Sequence, residues 1–353
     1  MSLMASLWVA FLAFLLVLAG IPVAARLAVR AGFVDRPGGR KDHTGAVPPI
    51  GGLIIFPVFI AAAALAGVNL VIYWPLFAAV ALVVFMGAVD DYGHIQAWIK
   101  FLIQFVAAFL IVLPGGAQVM HLGDMFGFGV VELGWMSVPF SVFCVVLLIN
   151  SINLMDGLDG LAGGKSFVMF GWLAAACALA GDMLNFTVIA SLEAALLAFL
   201  VYNMRGPWRK RASVFLGDSG SMALGLVLSW YVITLAQTPD AVLAPVSVAW
   251  IVALPVIDAC GQFVRRMKEG RHPFDPDRGH FHHHLIAAGL SVGKATMLIL
   301  SIGMVFGAIG YGGVKMGIPE PVLMIGWLGL WAAHMAISLK PEPFVRKISR
   351  LAK

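Results

Sequence analysis

The chain has 353 residues, of which 61% are hydrophobic and only 12% are charged, and its mean hydropathy is +0.95. Soluble globular proteins contain roughly 45–50% apolar and about 25% charged residues, so this composition excludes a soluble enzyme. A membrane helix needs about 20 apolar residues, which leaves room for about ten or eleven spans and little else. The composition therefore predicts a single all-α, polytopic membrane domain over residues 1–353.

Apolar runs follow one another along the whole chain and predict eleven membrane helices. They cover about 3–24, 50–67, 70–89, 98–113, 136–153, 163–181, 185–203, 217–236, 242–262, 295–313 and 321–339. The first run lacks a basic segment before it and is expected to be a span, not a cleaved signal peptide. Residues 114–135 form the one longer outer loop, where weak alternation around glycines predicts a small exposed hairpin.

Basic residues indicate the orientation of these helices. With eleven spans, all 23 basic residues except Lys315 fall on one face, with Lys165 counted among the loop residues. The positive-inside rule makes that face cytoplasmic, which places the N-terminus outside and the C-terminus in the cytoplasm. The cytoplasmic loops are expected at about 25–49, 90–98, 154–163, 204–217 and 263–294.

Acidic, amide and histidine side chains cluster at the cytoplasmic ends of these helices. The clusters are Asp90-Asp91, Lys100 in KFLIQ, Asn150 to Gly164 in NSINLMDGLDGLAGG, Phe215 to Ser221 in FLGDSGS, and His272 to His284 in HPFDPDRGHFHHH. Carboxylate and amide oxygens suit Mg²⁺, which is usually completed by water and substrate phosphates. Nearby Lys, Arg and His side chains would neutralise a pyrophosphate. The pattern predicts phosphoryl transfer between a soluble substrate and one delivered by the bilayer.

Each cluster also has a plainer interpretation. The two aspartates could be a solvated helix end, Lys100 a positive-inside anchor, and Asp218 a helix N-cap. The histidines could bind Zn²⁺, although anion contact fits their spacing better. The asparagine-aspartate motif is the hardest to explain structurally, because its polar groups are costly beside an apolar helix unless they bind something. Glu193, Asp258 and His334 are left outside the predicted site.

Taken in order, the five clusters resemble those of the polyprenyl-phosphate N-acetylhexosamine-1-phosphate transferases. The PDRGHFHHH stretch is similar to the WecA-like branch, which uses N-acetylglucosamine (GlcNAc), and not to the muramoyl-pentapeptide branch. The resemblance implies a multi-pass enzyme of the bacterial inner membrane that transfers a sugar-1-phosphate from UDP-GlcNAc to undecaprenyl phosphate and releases UMP. This reaction would start the synthesis of a cell-envelope polysaccharide. The sugar and the oligomeric state stay open, with another UDP-amino sugar and a homodimer as alternatives.

The resemblance also implies roles for individual residues. Asn153 and Asp218 would hold Mg²⁺, with Mn²⁺ as a substitute. The expected catalytic residues are Asp90, Asp91 and Lys100, which face the lipid phosphate, and Asp156. The expected substrate-binding residues are Asn150, Asp159, Phe215, Arg278, His280, His282 and His283, with uracil near Asp159 and Phe215. Some relatives carry a third aspartate where this chain has His94, so no role is assigned to a carboxylate there.

Both the reaction mechanism and the class of protein have competing interpretations. Direct attack of the lipid phosphate on the β-phosphorus is favoured over a covalent aspartyl-phosphate intermediate, which needs one more step. Whether Asp90 removes a proton or only positions the nucleophile stays open. A cation or nucleotide-sugar transporter would have the same composition, but transporters place their polar binding groups near the bilayer midplane. A catalytically inactive lipid-binding scaffold would not need every cluster intact.

Overall fold

The computed structural model describes residues 1–35, 45–93, 95–207, 209–238, 241–272 and 279–351. The apolar runs fold as helices, which satisfy every backbone polar group internally where water is absent. The helices are α1 (Leu3–Arg30), α2 (Gly51–Leu65), α3 (Trp74–Gly93), α4 (Ala97–Val112), α5 (Ser137–Leu154), α6 (Leu161–Ala180), α7 (Met183–Asn203), α8 (Gly217–Gln237), α9 (Pro245–Ile251), α10 (Ala253–Lys268), α11 (Phe281–Ala287), α12 (Val292–Gly307), α13 (Gly313–Lys315), α14 (Glu320–Leu339) and α15 (Pro341–Leu351).

Each predicted apolar run coincides with a helix or a helix pair. Within the described residues, eight helical segments are long and apolar enough to cross a membrane. The helices α9 and α10 are bent by 69° at one residue, and they pass the same test when taken together, as a broken span or a re-entrant loop. The two remaining runs form the shorter helices α2 and α4. The prediction of an all-α, multi-pass membrane protein is confirmed.

Helix α8 lies at the centre of the bundle and is buried along almost its whole length. Gly52 of α2 and Gly87 of α3 pack directly against the backbone of Ser219 and Gly220, where a Cβ atom on either glycine would clash. Helix α5 packs on another side of α8. These close contacts bring the polar ends of α3, α5 and α8 together at one end of the bundle.

The loop between α4 and α5 folds back on itself as predicted. The Leu122 N–H donates to the Val131 carbonyl at 2.9 Å, and the Val131 N–H donates to the Gly123 carbonyl at 3.1 Å. Gln237 Oε1 accepts the backbone N–H of Met120 at 2.8 Å, which fixes the loop to the end of α8. Residues 114–135 form a short two-armed turn with a single β-bridge and no regular strand.

Lys165 lies inside a helix, whereas the sequence analysis counted it among the basic residues of the cytoplasmic loops. Helix α6 begins at Leu161, directly after Gly160, whose φ of +80° ends the preceding turn. Lys165 is therefore in the second turn of α6, where its side chain is fully buried against Gly303 of α12. The distribution of the other basic residues between the two faces and the orientation of the termini stay predictions.

Candidate active site

Three helices contribute to an ion-pair cluster centred on Lys100. The Lys100 ammonium, near the start of α4, donates to the Asp90 carboxylate at the end of α3. It also donates to Asp218 Oδ2, in the first turn of α8, at 3.1 Å. The backbone N–H of Ile95 donates to Asp90 Oδ1 at 2.6 Å and fixes that carboxylate. The structure thus joins Asp90, Lys100 and Asp218, which the sequence predicted separately.

The neighbouring carboxylate, Asp91, has a different position. Its two oxygens accept the backbone N–H groups of Asp218 at 3.0 Å and Ser219 at 3.3 Å, at the start of α8. Gly217 has a φ of +76°, and a Cβ atom there would clash with the Asp91 carboxylate. This geometry makes Asp91 an N-terminal cap of α8 and a positioning residue for Asp218, whereas the sequence predicted that it faces the lipid phosphate.

Asn153 connects α5 to the same cluster. Its amide nitrogen donates to Asp218 Oδ1 at 3.0 Å and to Ser221 Oγ at 2.9 Å. Both amide hydrogens are used in these bonds, so the amide oxygen can serve as a ligand. Among the described residues, no three His, Cys, Asp or Glu side chains lie close enough to hold a metal ion. Magnesium commonly needs only one or two protein ligands beside water and substrate phosphates, so this oxygen-rich donor set fits it.

The asparagine-aspartate loop is fixed to the segment that leads into α8. Arg205 Nε donates to Asp159 Oδ2 at 2.6 Å, and the Ala212 N–H donates to the same oxygen at 3.2 Å. Asn203 accepts the Gly160 N–H at 2.8 Å and donates to the Val214 carbonyl at 2.9 Å. Asp159 therefore lies beside Ala212, three residues before Phe215, and the shared role of Asp159 and Phe215 stays a prediction.

The aromatic Phe215 is half-buried, and its backbone is hydrogen-bonded to the residues before α2. Its N–H donates to the Pro48 carbonyl and its carbonyl accepts the Gly51 N–H, both at 3.0 Å. Asp156 lies in the turn after α5 with an exposed side chain.

A buried network fixes the histidine motif. The Asp258 carboxylate, in α10, lies 2.9 Å from His280 Nδ1 and 3.2 Å from His334 Nε2 of α14. It also accepts the backbone N–H of Phe281 at 3.0 Å. Asp258 and His334 are functional candidates that sequence reasoning left out. Their signal was present, because an ionisable residue within a span needs a partner.

His282 is buried beside the asparagine-aspartate loop. Its Nε2 atom lies 2.5 Å from the position that a Cβ atom on Gly157 would take, so a larger residue there would require the ring to move. Burial, followed by repulsion from His283 and His280, lowers the pKa of His282 to about 3. His282 is therefore neutral near pH 7 and can hydrogen-bond a phosphate oxygen, but it does not supply the positive charge expected of it. The His283 ring lies 4.2 Å from the His282 ring.

Asn150 lies one helical turn before Asn153 and faces an apolar groove. Its amide donates to Gln104 Oε1 at 2.7 Å and to the Val146 carbonyl at 2.8 Å. The groove lies between α4 and α5, with a volume of about 370 Å³, and is lined by Phe101, Phe105, Phe109, Val138, Pro139, Val142, Phe143, Val146, Leu147, Asn150 and Phe263. Arg278 lies outside the described residues, so its predicted role stays untested, and His94, to which no role is assigned, also lies outside them.

Comparison with known proteins places this site in a family. A family model described as "Glycosyl transferase family 4" matches residues 73–236. The chain is 31% identical over 312 residues to the "Undecaprenyl-phosphate alpha-N-acetylglucosaminyl 1-phosphate transferase" of Yersinia pestis, covering 88% of this chain and 85% of the relative. The Escherichia coli (strain K12) protein of the same name is 30% identical, over 93% and 90% of the two chains. The chain belongs to glycosyl transferase family 4.

A relative from a distant bacterium agrees with this placement. The chain is 34% identical over 307 residues to the "Probable undecaprenyl-phosphate N-acetylglucosaminyl 1-phosphate transferase" of Bacillus subtilis (strain 168), over 84% of this chain and 82% of that one. The segment matched to family 4 contains the whole cluster around Lys100 and the Asn153 and Asp159 motif. The Asp258 network lies beyond the segment matched to the family 4 model.

Proposed function

We propose that this chain transfers GlcNAc-1-phosphate from UDP-GlcNAc to undecaprenyl phosphate and releases UMP. The relatives' names give the product class and the lipid acceptor, and the UDP-sugar donor follows from the family. One observation carries the proposal for this chain: Asn150 lines the apolar groove, and Asn153, one turn further along α5, binds Asp218, so the groove leads to the phosphate-binding cluster. Such a site suits a substrate with a charged head and a long hydrocarbon chain.

The groove provides a place for the polyprenyl chain. Its aromatic residues Phe105, Phe109 and Phe143 are 42%, 45% and 59% exposed, so the groove opens toward the lipid. Phe101 and Phe109 are separated by about 12 Å along α4, given a rise of about 1.5 Å per residue. A chain lying along this groove would place its phosphate at Lys100 and Asn150, where charge and amide groups replace apolar side chains.

Mg²⁺ would be held by Asp218 and the Asn153 amide oxygen. When bound, the ion would offset the negative charge of the donor pyrophosphate and orient it. Asp218 is already oriented by Asn153 and Lys100, and α8 is fixed through the Asp91 cap. The Asp218 carboxylate is therefore held in place before substrate arrives, which reduces the reorganisation needed on binding. Asn153 points its amide nitrogen at Asp218, so sharing an ion with Asp218 would require this amide to turn.

The reaction exchanges one phosphoanhydride for another, so alignment and charge neutralisation are the main tasks of the protein. An oxygen of the lipid phosphate attacks the β-phosphorus of the donor, and a new P–O bond forms between the lipid phosphate and the sugar phosphate. The bond between the β-phosphorus and the bridging oxygen breaks, and UMP leaves with that oxygen. Lys100 neutralises the attacking phosphate, and Asp90 fixes the Lys100 ammonium.

The uridine of the donor is assigned to the side of the cluster where Asp159 and Phe215 lie. Asp159 is bound by Arg205, so a base at this position would contact an oriented carboxylate. His280 and His282 lie beside the Asp156 loop and would contact the sugar phosphate. The basic loops favour a cytoplasmic position for this face, where UDP-sugars are made, and the proposed membrane is the bacterial inner membrane.

The bend between α9 and α10 also suits a transporter, because broken helices form transporter binding sites. Val252 at the break is flanked by the apolar residues Ile251 and Ala253. The nearest acidic residue along α10, Asp258, is bound by two histidines. The bend therefore offers no polar site for a transported ligand, and the enzyme is the better interpretation.

Purified protein with Mg²⁺, undecaprenyl phosphate and a panel of UDP-sugars tests this function through UMP release. We expect release with UDP-GlcNAc, and a strong loss in Lys100→Met. Lys294→Met, which removes the same charge in the first turn of α12, should keep the activity. Release with a different UDP-sugar alone would change the sugar assignment. No release with any sugar, in protein whose helical content is intact, would contradict the proposed reaction.

A further inference from the structure

The C-terminal helix α15 has two chemically distinct sides. Phe344, Val345 and Ile348 lie on one side and are half-buried, while Arg346, Lys347 and Arg350 lie on the other and are exposed. No side chain within Pro341–Leu351 is buried, and Leu351, on the apolar side, is 76% exposed. Within the described residues, none of these three basic side chains forms an ion pair. The packing of the bundle accounts for part of the apolar side, since Phe344 packs against the core, but not for the exposed basic side or for the exposed Leu351.

Helix α15 begins next to the membrane surface. Lys340 is the one residue between it and α14, which is long and apolar enough to span a membrane. A helix attached by a single residue to the end of a span cannot move far from the lipid headgroups. Amphipathic helices with a basic polar side and an aromatic apolar side lie in the plane of that interface.

The helix also contacts the candidate active site. The Phe344 ring lies 5.6 Å from that of Phe281, which in turn lies 5.5 Å from the His334 ring. The Phe281 N–H and His334 both bind Asp258, and Asp258 binds His280. Movement of α15 would therefore reach the histidine motif through two aromatic contacts, and α15 lies on the same membrane face as that motif.

We infer that α15 lies flat on the leaflet at the active-site face, with Phe344, Val345 and Ile348 toward the acyl chains and Arg346, Lys347 and Arg350 on anionic phospholipid headgroups. The contact between Phe344 and Phe281 then makes the position of the histidine motif depend on the membrane surface. Each basic residue near an anionic surface strengthens binding by about fivefold, so three are enough to fix a short helix there. The occupant of this surface is anionic phospholipid, which differs from the substrate lipid bound in the groove.

A depth measurement tests the first part without any assay of activity. A spin label is placed at Ile348 or at Glu342 in full-length protein whose three cysteines are replaced, and the protein is reconstituted in nanodiscs. In discs of phosphatidylcholine with one-third phosphatidylglycerol, we expect the Ile348 label to be exposed to oxygen and the Glu342 label to a water-soluble nickel chelate. The ratio of oxygen accessibility to nickel accessibility at the Ile348 label should fall about threefold in discs of pure phosphatidylcholine.

Charge variants identify the contact. R346Q/K347Q/R350Q should lose the response of the Ile348 label to phosphatidylglycerol, whereas R26Q/R30Q/K294Q, which removes three charges elsewhere, should keep it. Equal nickel exposure of both labels, or an Ile348 response that does not depend on the anionic lipid, would overturn the inference. Shielding of Ile348 from both reagents, with cross-links between two chains at α15, would identify a chain–chain interface instead.

The link to the histidine motif rests on the proposed function and is tested separately. UMP release should be about threefold faster in the anionic discs, and Phe344→Ala should remove this gain while the Ile348 label stays in the lipid. A gain that persists in Phe344→Ala would overturn the coupling. If no variant releases UMP in any disc, the proposed function fails, while the depth measurement still decides the position of α15.

Discussion

The carboxylate of Asp91 accepts the backbone N–H of Asp218 at 3.0 Å, and it also accepts that of Ser219. The N-terminus of a helix normally attracts anions, because its first N–H groups have no intrahelical partners. Here Asp91 binds two of those groups on α8. The binding of substrate phosphates is therefore expected to depend on Lys100 and on the metal ion proposed at Asp218 more than on the N-terminus of α8.

This relationship predicts different effects for the two adjacent aspartates. Asp91→Ala removes a helix cap and should lower the free energy of unfolding by about 1 kcal/mol, while Asp91→Asn, which can still accept one N–H, should lose less. Asp90→Asn should leave the melting temperature and UDP-sugar affinity near wild type but lower turnover strongly, because Lys100 loses its fixed partner. Thermal melting, ligand titration and UMP release measure these quantities. A stable, inactive Asp91→Ala would instead favour the catalytic role predicted from sequence.

The sequence predicted the helices and the members of the site more fully than their arrangement. Eleven apolar runs matched the helices because period and length are local properties. The contact between Lys100 and Asp218 could not be predicted, since it depends on how closely α3 and α8 approach through Gly87. Asp91 could not be told apart from Asp90. Adjacent residues of a helix point in different directions, but the sequence does not show which of these directions faces the neighbouring helix.

Asp258 illustrates a different limit. An aspartate one turn from the end of a span is consistent with a solvated boundary or with a buried hydrogen bond. The choice depends on His280 and His334, which are 22 and 76 residues away along the chain. Lys165 is the opposite case: the positive-inside pattern favoured a loop, but the left-handed Gly160 starts α6 early enough to bury it.

The metal assignment predicts a simple dependence. Because the proposed ligands Asp218 and Asn153 present oxygen atoms, EDTA should abolish UMP release and Mg²⁺ or Mn²⁺ should restore it. Asp218→Asn should need a higher Mg²⁺ concentration or lose activity altogether, which a Mg²⁺ titration of UMP release measures. Recovery with Zn²⁺ alone would move the metal to the histidines and contradict the assignment.

The Asp258 network predicts that charge far from the reacting atoms affects activity. Asp258→Asn keeps the shape of the side chain but weakens its hydrogen bonds to His280 and His334, each worth about 1.5–3 kcal/mol when one partner is charged. We expect at least about a tenfold loss of UMP release at unchanged nucleotide affinity. Glu193→Gln, which alters another intramembrane acid remote from the site, is the matched control. Equal loss in both variants would point to general destabilisation.

The neutral state of His282 predicts how activity falls in acid. Its pKa is lowered from 6.5 to about 3, so the folded protein favours the neutral ring, and the stability that the ring contributes is lost progressively as pH falls from 6.5 to about 3. Between pH 7 and 5, folded His282 stays neutral while the lipid phosphate, whose second pKa is about 6, titrates. UMP release should therefore decline through pH 6 with the same midpoint in wild type and His282→Gln. A midpoint that moves in the variant would show that His282 titrates in this range.

The last prediction separates one-step from two-step chemistry. Asp90 lies on α3, Asn153 on α5 and Asp218 on α8, so one cluster can hold the donor pyrophosphate and the lipid phosphate together. Direct attack requires both substrates before UMP forms. Enzyme freed of lipid and supplied with UDP-GlcNAc and Mg²⁺ should release no UMP and should not exchange labelled UMP into the donor. Co-purified undecaprenyl phosphate would mimic a burst, so it must be measured first by mass spectrometry. A stoichiometric burst in lipid-free enzyme that disappears in Asp90→Asn would mean that the sugar phosphate had moved onto Asp90, and direct attack would be wrong.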